Sequence, residues 1–186
     1  MSSSHSTGPS QDAPGAIPPD DPGRDVTMAR ADDPAVTHLS VVGDTYTVLV
    51  AGKDTDGRYT LIDMHVPPGG GPPPHRHDFE EMFSVLDGEV EVTFRGTTSV
   101  ARAGQTINVP ANAPHQFRNA SDRPARLLCV CAPAGQEEFF TEVGDRVDGR
   151  TAPPPDLDDA ARAARMAKAA ELAPKYRTEL LLPPGS

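Results

Sequence analysis

The chain has 186 residues, a formal charge of −10 at pH 7, 21 prolines, 16 glycines and two cysteines. That charge repels nucleic-acid backbones and anionic membrane surfaces, so neither is an expected partner. Cys129 and Cys131 are too few for a disulfide scaffold, no apolar run reaches membrane-span length, and MSSSHSTGPSQDAPG has neither a basic start nor an apolar core; the expected location is cytoplasmic.

Residues 1–35 are rich in Ser, Pro, Gly and Asp and poor in large aliphatics. Such a stretch cannot bury enough surface to offset its ordering entropy, so a disordered tail is expected, with His5 idle in it. Strand-like runs follow at 45–51 and 58–66, with Asp54-Thr55-Asp56-Gly57 between them as a hairpin turn. In the second run Ile62, Met64 and Val66 share one face; His65 lies on the other and is expected outside the core rather than as a ligand.

Pro67 to Pro74 lacks the donors a sheet interior needs and predicts a stiff connector. Strands are expected at 81–86, 89–94, 98–101, 106–109, 115–118 and 126–132, with turns at Asp87-Gly88 and Arg95-Gly96. Many short strands with no helix between them predict an all-β fold, an antiparallel sandwich or barrel. A short helix is expected over 136–147, burying Phe139, Phe140 and Val143. A second is expected through about Leu172, capped by Asp156, with Leu157, Ala160, Ala161, Ala164 and Ala167 on one stripe. Pro174 ends it, and Leu180-Leu181-Leu182 predicts a last extended segment on the barrel or on a second subunit.

His75 and His77, two apart, leave the same face of an extended segment; so do Glu81, Phe83 and Val85, and later His115, Phe117 and Asn119. Three imidazoles and one carboxylate suit a borderline divalent ion (Fe, Mn, Ni, Co or Zn) better than Ca or Mg. Around an octahedral ion they leave two positions for water, dioxygen or substrate. Glu80 should face away from Glu81. Met64, Phe83, Val85 and Phe117 are expected to wall a substrate pocket, with Phe79 and Met82 as alternatives at its mouth. Cys129 and Cys131 share a strand face with Leu127 and are expected as small core residues.

Gly69, His75, His77, Glu81 and Gly88 fit G-x5-H-x-H-x3-E-x6-G. Gly104, Pro110, His115 and Asn119 fit G-x5-P-x-G-x2-H-x3-N, with Asn112 in the glycine position, where asparagine can adopt the same positive φ. These two patterns resemble the paired motifs of the cupin superfamily, and the surrounding run VPPGGGPPPHRHDFEEMF is similar to that of small quercetin-dioxygenase-like cupins. The resemblance implies a small jelly-roll β-barrel over residues 36–134, preceded by the tail and followed at 135–186 by an extension with one or two helices. It implies one divalent metal bound inside by His75, His77, Glu81 and His115. It further implies a small-molecule substrate, aromatic or enol-type, a dioxygenase in which Glu81 serves as base, and a homodimer. Two alternatives stand beside this: a metal-dependent isomerase, cyclase or lyase without oxygen chemistry, and a non-catalytic ligand-binding protein.

Overall fold

The computed structural model describes residues 17–181. Twelve strands and two helices follow in order: β1 (Thr37–Val41), β2 (Asp44–Val50), β3 (Thr60–Val66), β4 (His75–His77), β5 (Glu80–Asp87), β6 (Glu89–Phe94), β7 (Thr97–Arg102), β8 (Thr106–Val109), β9 (His115–Arg118), β10 (Ala125–Ala132), α1 (Gln136–Val143), β11 (Asp145–Arg146), α2 (Asp159–Leu172) and β12 (Thr178–Leu180). The expected all-β architecture takes the form of two antiparallel sheets, ordered β11-β1-β2-β3-β10-β5-β8 and β12-β4-β9-β6-β7.

Period-two alternation builds the core between them. β5 turns Glu81, Phe83 and Val85 inward, and β10 does the same with Ala125, Leu127, Cys129 and Cys131. From the facing sheet come Val90 and Val92 of β6 and His115 and Phe117 of β9. Phe83 and Phe117 meet across the gap edge to face, ring centroids 5.3 Å apart. His65 lies half-buried on the opposite face of β3, whose Asp63 is covered by Arg126.

Several local expectations need correction. The segment before β3 is no simple hairpin: Gly52–Asp54 forms a 3-10 turn and the strand begins only at Thr60. Thr55 is the reason, since its hydroxyl donates to the Tyr59 carbonyl and accepts from the Tyr59 N–H, taking both groups from the ladder. α1 stops at Val143 because Gly144 turns extended, and Asp145 and Arg146 then pair with Ser40 and Leu39 of β1, a strand the sequence did not suggest. α2 is capped by Asp158, whose carboxylate accepts from the Ala161 N–H, and not by Asp156. Its half-buried stripe is Ala161, Arg165, Met166, Ala169 and Leu172, whereas Ala160, Ala164 and Ala167 are exposed: the helix starts later and is rotated relative to the expected one.

Of residues 1–35, those from 17 onward form no helix or strand and are mostly exposed; His5 and Leu182 lie outside the described residues. Among the described residues no helix is long and apolar enough to cross a membrane.

Candidate metal centre

β4 is only three residues long, yet it lies between two partners: His75 pairs with His115 of β9 on one side and with Leu180 of β12 on the other. Both histidines of β4 turn inward while Arg76 between them faces out. Glu81 comes from the opposite sheet, and its neighbour Glu80 faces outward, accepting from the Asn108 amide and the Ala111 N–H. Asn112 holds a φ of 67°, as its place in the motif requires, and its N–H bonds the His77 carbonyl at 2.6 Å. That bond ties the loop before His115 to the HxH strand.

The imidazoles are oriented by backbone. Nδ1 of His75, His77 and His115 lies 2.9 Å from the carbonyl oxygens of Pro73, Phe79 and Ala113 respectively. A carbonyl only accepts, so each Nδ1 carries the proton and each neutral ring turns an Nε2 lone pair away from it. Nε2 of His77 and Nε2 of His115 both stand 3.1 Å from Oε2 of Glu81. The ligand atoms of His75, His77, Glu81 and His115 all fall within 4.8 Å of one another. Phe79 is buried and stacks flat on His77 with centroids 3.8 Å apart, which locks that ring; it does not stand at a mouth. Met82 alternates outward from Glu81 and is exposed.

Electrostatics follow from this packing. Burial pulls the Glu81 carboxyl upward, but with a second ring proton on Nε2 the hydrogen bonds from His115 and His77 outweigh it and hold the group well below the usual carboxylate range. Burial, with His115 alongside, pushes His75 down to about 4. His115 is drawn down by burial but raised on balance by its bond to Glu81. Behind the carboxylate lie Cys129 and Cys131, their Sγ atoms 3.4 and 3.7 Å from Oε1 of Glu81. Cys131 beside it and burial push the Cys129 thiol well above its ordinary range, while Cys131 is drawn down by Cys129 but raised on balance by burial. They are core residues, as expected, but they also touch the site.

The donor set fits a divalent ion. A carboxylate oxygen facing two Nε2 lone pairs is an arrangement of acceptors that only a proton or a cation reconciles. Two ligands each about 2.1 Å from an ion at a right angle lie roughly 3 Å apart, close to the two 3.1 Å separations found here.

Beside the donors opens a cavity of about 650 Å³. His75, Glu81, Met64, Phe83 and Phe117 line its inner end; Phe139, Phe140 and Met166 line the outer part, under the segment 153–157 and α2. Val85, one inward position past Phe83, packs in the core and is not part of the wall. The roof is held by Glu142, which takes Lys175 and Tyr176 on its carboxylate and Lys168 on its carbonyl, and by Arg165 on Asp145. Tyr46, whose hydroxyl donates to the fully buried Asp44, also faces the cavity. The roof and the backbone carbonyls behind the histidines escaped sequence reasoning; the Pro and Ala residues two positions before His75 and His115 gave no side-chain signal.

Comparison with known proteins agrees with this geometry. Residues 62–131 match the cupin domain family. The chain is 29% identical over 109 residues to quercetin 2,3-dioxygenase of Bacillus subtilis, covering 58% of this chain and 32% of that protein. It is 36% identical over 94 residues to polyketide synthase CurC of Streptomyces cyaneus, covering 49% of this chain and 60% of that one. The matches thus span between a third and three-fifths of those relatives' own lengths. The structure of the polyketide cyclase RemF from Streptomyces resistomycificus shares the fold with a TM-score of 0.50 at 24% identity, over 71% of this chain and 88% of its own. The family match lies across β3 to β10 in two facing antiparallel sheets, and residues 62–131 of this chain form a cupin domain.

Proposed function

We propose that this protein is a metal-dependent enzyme acting on an aromatic, enol- or phenol-bearing small molecule, and that its reaction is dioxygenation. The observation that carries the proposal is a four-donor cluster, two of whose members, His75 and Glu81, line an apolar cavity large enough for a multi-ring substrate. The three Nε2 atoms and Oε2 of Glu81 would hold the ion. A divalent ion there would supply Lewis-acid polarisation of a substrate oxygen. Phe83, Phe117 and Met64 would hold the rings flat beside the donors and exclude water. Glu81 would accept the substrate hydroxyl proton at Oε2, being the carboxylate at the cavity's inner end. The match to quercetin 2,3-dioxygenase supports the oxygen chemistry. Oxygen uptake on adding a flavonol or a 1,3-diketone to metal-loaded protein tests it; no uptake across such a panel removes it.

A second reading, ring closure or isomerisation without oxygen, is favoured by the higher identity to polyketide synthase CurC. Turnover of a poly-β-ketone mimic under strict anaerobiosis would select it.

A further inference from the structure

Oε2 of Glu81 serves the imidazoles, which leaves its other oxygen to be accounted for. Glu81 is only 5% exposed, and a buried carboxylate oxygen without a donor is costly. Strand pairing supplies the answer. Cys131 is the direct cross-strand partner of Glu81, and Cys129 is the partner of Phe83, so both thiols turn toward the same inner face as the carboxylate. Their Sγ atoms stand 3.4 and 3.7 Å from Oε1 and 3.7 Å from each other. A carboxylate oxygen only accepts, so the sulfur protons are the donors. No other hydrogen-bond donor to Oε1 is found among the described residues. Both positions are essentially without solvent exposure, and neither thiol lines the cavity.

We propose that Cys129 and Cys131 are positioning residues for the metal centre: their thiols fix the rotation of the Glu81 carboxylate by donating to Oε1, so that Oε2 alone is presented to the ion. The inference rests on the reading of His75, His77, Glu81 and His115 as the ligand set. It separates a donor role from plain packing, because valine fills a cysteine-like volume without a proton to donate, whereas serine donates while filling less.

The test is Co2+ binding, followed by its d–d absorption and by competition with a chelator, in the wild type, C129S/C131S and C129V/C131V. The serine pair should bind within a few-fold of wild type with the same absorption band. The valine pair should bind roughly 10–100-fold more weakly with an altered band, as expected when a partner behind a ligand is lost. A valine pair with wild-type affinity and spectrum, or a folded serine pair as impaired as the valine pair, overturns the proposal. If the double valine variant does not fold, C129V and C131V singly serve, each expected to weaken binding and each overturning the idea by leaving it unchanged. Wild-type protein that binds no Co2+ sinks the ligand-set reading and this inference together; wild-type binding lost in His115→Ala but kept in the valine pair removes only the role of the thiols.

Discussion

His75 and His115 are direct cross-strand partners, their rings 4.3 Å apart between centroids, although forty residues of chain separate them. The pairing of β4 with β9 sets the two side chains on one face, and the Pro73 and Ala113 carbonyls hold their rings. The cluster is therefore assembled by folding before any ion arrives. An ion bound only by the folded state at a hundred times its Kd adds about 2.7 kcal/mol, or roughly 5–10 °C in Tm for a chain this size. Thermal unfolding with and without Mn2+, Ni2+ or Zn2+ should show that rise, and His115→Ala should abolish it. An equal rise in the variant would mean the ion binds elsewhere.

Gly71 sits so close to β9 that a Cβ placed on it would lie 2.2 Å from the Phe117 carbonyl oxygen, and its φ is 128°. The clash is with backbone and cannot be relieved by a side-chain rotation. Gly71→Ala should cost about 3 kcal/mol, lowering Tm by roughly 6–12 °C. Gly43→Ala, where a Cβ meets nothing within 4 Å, carries only the strain of its φ of 93° and should be milder. Denaturant unfolding of the two variants compares them directly.

Asp44 is fully buried, and burial raises its carboxyl from 3.8 to about 7 against a hydrogen bond from Tyr46. The folded chain then holds a proton that the unfolded chain has released, so between about pH 4 and pH 7 stability falls as pH rises. The full interval is worth up to roughly 4 kcal/mol. Asp44→Asn should match wild type near pH 4 and exceed it at pH 8; parallel stability curves for the two proteins across that range would contradict the assignment.

Glu142 gathers Lys168, Lys175 and Tyr176, and with them the roof of the cavity. Glu142→Ala should speed amide exchange in residues 159–180 roughly fivefold while leaving β5 and β10 protected. Unchanged exchange in that segment would show that α2 is held by its apolar stripe alone.

How much of this was legible in sequence depends on whether a feature is local. β6, β8 and β9 begin and end where alternation and turn residues placed them, since Arg95-Gly96 and Asn112 supply the positive φ their turns demand. Convergence of His75, His77, Glu81 and His115 followed from parity within strands together with a motif resemblance. The thiols beneath Glu81 could not be foreseen, because the β5–β10 register joins residues 50 apart and nothing in either strand states it. The phase of α2 was misjudged for a related reason: alanines are indifferent to burial, and the helix is oriented by Arg165 reaching Asp145 and by Met166 over the cavity. Phe79 resembled a mouth residue until its stacking on His77 gave it a different duty.

β12 covers the outer edge of β4. A chain cut after Arg177 would keep both histidines of that strand yet leave the Pro74 carbonyl and the outer edge of the strand open to water or to another molecule's strand. Cleavage at that point should therefore loosen ion binding and invite association at once. For anyone purifying this protein, residues 178–180 are part of the instrument.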